Sequence, residues 1–529
     1  MNNLAHQETP SALSPFRHQA FAVIWVATLV SNVGIWMQNA AAGWLMTSLA
    51  PDARYVALVQ VASALPMFLL GLPAGALADI FDRRHMLLTM EIVGTSLTTC
   101  FAFLVATDRV TAVVLIGFIF LASACAASIA PAWEAIVPQL VERREDLAPA
   151  VALNSASVNV SRAIGPALAG VMIGASSMAA PYWINAVCNL GCIGALFWWR
   201  PAAHKRDLPP ERFGSAILVG LRHARYNRPL RATLVRASGF FIFASAYWAL
   251  LPLLAREQIG SGPQTYGMLL GAIGLGAVGG MLVLHRLKVL LGADGLVIAG
   301  SLGTALALAL YAIAHTPGAG LLASAIAGLS WIAVLSTLNV SAQTALPGWV
   351  RGRGLATYAT VMFGVTTLGS LLWGQVASMF GLPVAHAVAA AGLTASIVLL
   401  RKQRVHAIAG LDLRPSMYWP EPVLSDDVDD NRGPVLVMIE YDIGGADRSA
   451  FVSAAYRQGA ARKRNGAYRW GIFEDTATPS HWVETFLIDS WLDYLRQRER
   501  LTRADQQLEV EVRSHQAHGE PRVSHFIGP

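Results

Sequence analysis

Arg162 stands midway along an apolar stretch, in Asn159-Val160-Ser161-Arg162-Ala163-Ile164-Gly165-Pro166-Ala167-Leu168-Ala169-Gly170. A charge at membrane depth costs roughly 2.5–3.5 kcal/mol on insertion scales, so something must offset it. It can bind an anionic substrate group, pair with Glu91 or Glu134, or donate to carbonyls around the Gly165-Pro166 bend. Two polar stripes accompany it. Asn32, Trp36 and Asn39 fall at i, i+4 and i+7 on one helix face, and Ser336, Asn339 and Gln343 share a face in the same way. In lipid such groups need partners, which a water-filled cavity or interhelical hydrogen bonds would supply. Trp36 and Trp331 are candidate apolar walls among Trp25, Trp36, Trp44, Trp248, Trp331 and Trp373. Asp79, Glu91 and Glu134 are the carboxyls whose proton affinity could change with their surroundings. Cys100, Cys125, Cys188 and Cys192 all lie inside apolar runs, so neither a disulfide, a metal site nor a bound cofactor is expected.

The elements that must position these groups follow from composition. Of 529 residues 54% are hydrophobic and 14% charged, against about 25% charged in a typical soluble domain. This excludes an ordinary cytosolic enzyme. Residues 1–401 hold 23 Lys+Arg and 14 Asp+Glu, a net +9, whereas 402–529 hold 16 and 19, a net −3. The basic pI of about 9.2 therefore belongs to the apolar part and is not a nucleic-acid signal. Runs of roughly 20 apolar residues cross a bilayer core, and twelve such spans are expected: 18–48, 55–78, 86–107, 110–133, 149–175, 180–199, 231–254, 263–286, 293–315, 318–345, 354–380 and 383–400. Connections 2–3, 4–5, 6–7, 8–9 and 10–11 and both ends carry nearly all the flanking Lys and Arg, while the opposite set holds only Arg54, Arg109 and Arg256. The positive-inside rule places both termini in the cytoplasm. The expected division is a segment 1–15, a six-helix half 16–200, a cytoplasmic loop 201–230 with a short basic amphipathic helix near Gly214–Arg225, a second half 231–401, a linker 402–433 and a soluble domain 434–527. Two halves about a central loop suggest a secondary transporter with its site between them.

The segment Gly75-Ala76-Leu77-Ala78-Asp79-Ile80-Phe81-Asp82-Arg83-Arg84 resembles the signature loop of the major facilitator superfamily. The resemblance implies a latch in which Gly75, Asp79, Arg83 and Arg84 hold the halves in the outward-facing state. Gly279-Gly280-Met281-Leu282-Val283-Leu284-His285-Arg286 looks like a degenerate second copy that has lost the acid. Gly165-Pro166 with Gly170 resembles the superfamily's exporter motif, in which Pro166 lets the helix bend and the glycines thin it. A simple small-residue packing seam is the alternative. With Pro131-Ala132-Trp133, Val137-Pro138-Gln139-Leu140-Val141, Asn154-Ser155 and Trp331–Asn339, the chain is similar over about residues 15–400 to the bacterial drug:proton antiporter branch that includes macrolide efflux proteins and the enterobactin exporter, the transmembrane secretion effectors. That implies a bacterial inner-membrane protein working by alternating access, with spans 1, 4, 7 and 10 lining the cavity. It would exchange protons for a small amphipathic compound such as a drug, a secondary metabolite or a siderophore.

The tail predicts a strand over Pro434–Ile443, a helix over 447–464, strands over Tyr468–Glu474 and Trp482–Ile488, and helices over Trp491–Arg500 and Thr502–His515. Arg469-Trp470-Gly471, Val483-Glu484-Thr485-Phe486 and Ser490-Trp491 resemble the small ferredoxin-like domain of antibiotic biosynthesis monooxygenases, which pair into dimeric barrels. The expected fold is thus an all-α polytopic body of 12 helices in two six-helix halves plus a small cytoplasmic α+β domain. Tyr494 and Arg498 occupy the places of the family's histidine, and His481 reads as a turn residue. The tail is accordingly expected to regulate, sense or self-associate. Its alternative is a membrane-tethered monooxygenase, and an importer is the other alternative for the body. The expected partners are the lipid bilayer, a small-molecule substrate and protons, with no nucleic acid.

Overall fold

The computed structural model describes residues 13–80, 82–141, 143–200, 223–347, 350–405 and 432–528. The side chains of residues 72, 75, 76, 78–80, 135, 144 and 498–500 also lie outside the description. Lipid leaves no partner for backbone groups, so each apolar run closes its own hydrogen bonds as a helix. The helices are α1 (Gln19–Leu49), α2 (Ala53–Ile80), α3 (Arg83–Ala106), α4 (Ala112–Ile136), α5 (Leu147–Ala175), α6 (Ala180–Trp198), α7 (Arg228–Leu253), α8 (Pro263–Ile313), α9 (Pro317–Thr344), α10 (Arg351–Phe380) and α11 (Leu382–Leu399). All eleven are long and apolar enough to cross a membrane. α8 spans 51 residues and is broken at Gly292 by a positive φ of 68°, so it carries spans 8 and 9. The architecture is that of twelve spans in two halves. The basic helix near 214–225 falls outside the described residues except for a helical turn at 223–226, and most of the 402–433 linker also falls outside them.

The described residues form two compact units, one within Met1–Pro210, Val235–Leu338 and Ala359–Gln403, the other within Glu211–Leu234, Asn339–Tyr358 and Arg404–Pro529. In the first unit, buried polar groups tie helices together. Gln38 of α1 accepts from Thr98 of α3 at 3.1 Å and from Asn185 of α6 at 2.7 Å. Ser31 donates to Asn189 at 2.7 Å. Trp25 donates to the Leu153 carbonyl and Trp373 to that of Ile242, at 3.0 and 2.7 Å, so both act as helix anchors. α5 and α8 run antiparallel along small residues. A Cβ on Gly274 would lie 2.3 Å from the Ala163 Cα, and one on Gly267 would lie 2.7 Å from the Pro166 carbonyl oxygen. The series Ala163, Ala167, Gly170 and Gly174 faces Gly274, Gly271, Gly267 and Gln264, a small-residue seam that lets two backbones touch.

In the second unit the tail forms a four-stranded antiparallel sheet of order β2-β3-β1-β4, with β1 (Val435–Asp442), β2 (Tyr468–Glu474), β3 (His481–Ile488) and β4 (Arg522–Ile527). Helices α12 (Arg448–Arg464), α13 (Trp491–Arg500) and α14 (Arg503–Arg513) complete a βαββααβ order. β1 alternates buried and half-buried residues, and Val435, Val437, Ile439 and Tyr441 pack with Phe451, Phe486, Trp491 and Tyr494. Within this core Arg462 lies 3.6 Å from Glu484 and 3.8 Å from Glu509. Glu484 also accepts from Tyr441 at 2.9 Å and Trp470 at 2.8 Å. β4 is a strand the sequence pattern does not signal. His481 is the first residue of β3 rather than part of a turn.

A single imidazole joins the tail to the start of α7. His223 donates from Nδ1 to the Arg464 carbonyl oxygen at 3.3 Å and accepts the Asn227 amide on Nε2 at 3.1 Å. Asn227 also donates to the Ala345 carbonyl at 2.8 Å and caps α7 by accepting from the Leu230 N–H at 3.0 Å. Burial, with the Arg464 cation nearby, pushes His223 down to about 4, below an unfolded value of about 6.5. The unfolded form therefore binds the proton first, and this contribution to stability is intact above pH 6.5 and lost as pH falls towards 4. The melting temperature of the full-length protein should fall across that window, and His223→Gln should flatten the fall by up to one proton, about 1.4 kcal/mol per pH unit. An unchanged slope in the variant would remove His223 from the linkage.

Candidate functional site

The site builds outward from Arg162 on α5. Its guanidinium lies over the Trp36 ring of α1, 5.0 Å from the centroid. A desolvated cation–π contact is worth about 2 kcal/mol or more, which offsets most of the roughly 2.5–3.5 kcal/mol cost of a charge at this depth. Arg162 can therefore remain a cation with donors to spare. Its Nε is buried with no hydrogen-bond partner among the described residues. No ion pair joins it to Glu91 or Glu134 among those residues. Gly165, one turn on, permits this stacking, since a Cβ there would lie 2.6 Å from the Trp36 Cβ and 2.8 Å from the Val33 carbonyl oxygen.

Tyr247 of α7 lies within electrostatic reach of Arg162. Its ring lies 6.3 Å from that of Trp331 on α9, and Trp248 stands 5.5 Å from Trp331. Phe240 and Phe241 close the aromatic wall at 5.9 and 5.3 Å from Trp331. The Tyr247 hydroxyl and the indole N–H groups of Trp248 and Trp331 are buried without hydrogen-bond partners among the described residues, like the Arg162 Nε. Four unmet groups thus share one aromatic setting contributed by α5, α7 and α9. What completes it must bring acceptors.

The remaining sequence candidates separate. Trp36 and Trp331 belong to this cluster. Asn32, Ser336 and Asn339 are half-buried, and Asn39 and Gln343 are exposed; none of them has a contact that ties it to Arg162. The buried polar groups of α1 are Ser31, Gln38 and Thr47, of which Gln38 lies one position off the expected stripe. Glu91 is buried on α3 beside Cys192 of α6, and Glu134 is exposed on α4. Pro166 and Gly170 lie in the α5–α8 seam. In the signature loop, Gly75 and Asp79 are helical residues of α2 whose side chains lie outside the described residues. Arg83 opens α3. Arg84 donates to the Leu196 and Phe197 carbonyl oxygens at 2.9 and 2.8 Å, so it caps α6. Asp82 caps α3 by accepting from the His85 N–H at 2.8 Å.

At the end of the bundle poor in Lys and Arg, the halves are clasped. Arg256 follows Pro252 in a π-helical turn, Leu254–Gln258, a distortion common at functional sites. It donates to Thr47 at 3.0 Å and Ser48 at 2.6 Å, at the end of α1, and lies over the Trp44 ring at 5.7 Å. Trp44 in turn stacks on Tyr266 of α8 at 5.9 Å. Tyr247, Gln38 and Arg256 carry this geometry, and in the sequence each is one polar residue in or beside an apolar run.

The chain matches the transmembrane secretion effector family over residues 10–528. It is similar to the staphyloferrin A transporter of Staphylococcus aureus, 26% identical over 361 residues that cover 66% of this chain and 87% of that protein. It is also similar to the enterobactin exporter EntS of Salmonella typhimurium, 26% identical over 380 residues covering 70% and 88%. Among solved structures it resembles a POT family transporter in complex with a thioalcohol-conjugated peptide, with a TM-score of 0.60 at 12% identity over 73% of this chain and 96% of that one. A bacterial homolog of the human lysosomal transporter Spinster, inward-facing and unoccupied, matches with a TM-score of 0.55 at 13% identity over 74% and 95%. These likenesses show the major facilitator fold. The chain belongs to the transmembrane secretion effector family, multi-pass secondary transporters of the major facilitator superfamily.

Proposed function

We propose that the chain exports a small anionic compound of the siderophore or secondary-metabolite kind across the bacterial inner membrane in exchange for protons, with both termini in the cytoplasm. The observation that carries this is the half-buried Arg162, whose Nε–H is buried without a partner among the described residues, set among Trp36, Tyr247 and Trp331. A site of one cation, indole donors and a phenol on an aromatic frame favours carboxylate or phenolate oxygens carried by an apolar body. The names of the two relatives, one a staphyloferrin A transporter and one an enterobactin exporter, support the same class. The Lys and Arg asymmetry of the connections supports the orientation. Protons are the proposed driving partner, with Asp79, Glu91 and Glu134 as the carboxyls available, and residues 16–200 and 231–401 are the proposed halves. Asp79 with Arg83 and Arg84 is the proposed latch of the outward-facing state.

The tail is proposed to regulate transport and to self-associate. Its uncovered sheet face carries Leu436, Met438, Val483 and Leu487, with Phe473 and Phe526 59% and 50% exposed, an apolar surface of the kind that marks an interface. The test of coupling uses everted membrane vesicles energised by respiration and supplied with a labelled catecholate or hydroxycarboxylate siderophore. Accumulation inside should stop when an uncoupler collapses the pH gradient. Accumulation that survives the uncoupler would count against proton exchange.

A further inference from the structure

The second half of the bundle contains a buried imidazole for which the site described above has no use. His386 stands near the start of α11 and is 0% exposed. Its Nδ1–H donates to the Leu382 carbonyl oxygen at 2.9 Å, which leaves Nε2 as the acceptor. Nε2 is buried with no hydrogen-bond partner among the described residues. A fully satisfied core histidine would use both nitrogens; this one keeps a lone pair in reserve where lipid offers nothing to fill it.

Contacts lead away from the ring in two directions. The imidazole lies 5.7 Å from the ring of Tyr311 on α8, and Tyr311 lies 6.2 Å from Tyr247, which lies within electrostatic reach of Arg162. The Tyr311 hydroxyl sits 2.8 Å from that of Ser324. In the other direction, the Tyr311 carbonyl accepts from Gln258 at 2.8 Å, and Gln258 also donates to the Ala314 carbonyl at 2.9 Å. Gln258 closes the π-helical turn that carries Arg256, whose guanidinium holds Thr47 and Ser48. One buried acceptor is therefore linked through Tyr311 both to the Arg162 setting and to the clasp between the halves.

We propose that His386 is the residue that carries the coupled proton, and that its protonation opens the Arg256 clasp. The proposal rests on the proton exchange proposed above. Of the titratable and charged groups on the surrounding elements, Tyr311 is in ring contact, Tyr247 stands behind it, Arg256 and Glu257 are in the π-helical turn, Tyr266 is at the start of α8 and His315 is in the exposed connection after Tyr311, while Arg228, Arg231 and Arg236 lie towards the other end of α7 and His285, Arg286, Lys288 and Asp294 in the middle of α8. No ion pair joins any of them to the imidazole among the described residues. No carboxylate pairs with the ring among the described residues, so nothing in the closed packing holds an added proton there. A proton from water reaches Nε2 once the halves part at the Arg/Lys-poor end, and re-closure expels it past Tyr311 and Tyr247 towards the Arg162 cluster. A group that binds a proton in one state and not in the other shifts the equilibrium between them with pH.

The experiment uses the full chain in nanodiscs, with the four native cysteines replaced and spin labels at Thr107→Cys and Thr316→Cys, exposed positions on opposite halves at the clasped end. The distance distribution is recorded from pH 5 to 8.5. The expected result is a short distance at high pH that gives way to a long one on acidification, with a one-proton dependence. His386→Gln and His386→Asn should each hold one distribution across the range, and Glu91→Gln should titrate like the parent. A normal titration in either folded His386 variant overturns the assignment. Loss of titration in Glu91→Gln, with both His386 variants normal, moves the proton to α3 and leaves proton exchange standing. A parent protein that does not titrate at all overturns this inference together with the coupling on which it rests.

Discussion

Replacing Arg162 by alanine is expected to cut transport of an anionic substrate by about 10–150-fold, the equivalent of the 1.5–3 kcal/mol that a hydrogen bond to a charged group contributes. The loss should be much smaller for a neutral compound. The reason is charge: among the described residues Arg162 supplies the one cation in a setting whose other unpartnered groups, the Tyr247 hydroxyl and the Trp248 and Trp331 indoles, are neutral. Arg162→Lys should recover little, because a lysine cannot both lie flat on Trp36 and present a planar fork. Initial rates in vesicles for a carboxylate-bearing probe and its methyl ester would separate the cases. Equal losses for both would make Arg162 a structural residue of the α1–α5 contact.

Gly267→Leu is expected to abolish turnover while leaving the helices inserted. The missing side chain is what allows α8 to meet α5, since even a Cβ would lie 2.7 Å from the Pro166 carbonyl oxygen and 2.9 Å from the Gly170 Cα. Backbone cannot step aside as a side-chain tip can, and overpacking of about 1–3 kcal/mol would disfavour the clasped state by roughly 5–150-fold. A transporter that cannot revisit one of its states stops cycling. A reporter cysteine at Thr47, fully buried here, should become reactive to an impermeant maleimide in the Gly267→Leu background. Normal transport in the variant, or an unreactive Thr47→Cys, would show that the seam is packing without a gating role.

Much of this architecture is legible in the sequence because lipid enforces it. The twelve apolar spans fall close to the observed helices, since a helix is the structure that satisfies backbone groups in hydrocarbon. The tail's first strand announces itself by alternation, Val435, Val437 and Ile439 inward. β4 does not. Arg522–Ile527 is an edge strand with most of its residues half-buried or exposed, so nothing imposes a period of two on it. Arg162 is conspicuous as a lone charge, and Gly165-Pro166 as a bend. Their partners are not conspicuous. Tyr247 and His386 lie in apolar runs that hydropathy reads as uninterrupted, and their neighbours come from helices far away in sequence. Arg256 reads as a loop charge until the π-helical turn after Pro252 aims it at α1. On α1 the one-position slip from Asn39 to Gln38 reflects which face meets α3 and α6, a choice that helical spacing alone leaves open.

The most direct test compares metabolites in cells and medium for bacteria producing the wild type, the Gly267→Leu variant or no protein. The account predicts an anionic small compound that is depleted inside and enriched outside only with the wild type, with the variant matching cells that lack the protein. A compound drawn from the medium into cells, or one chemically altered without redistribution, would contradict export.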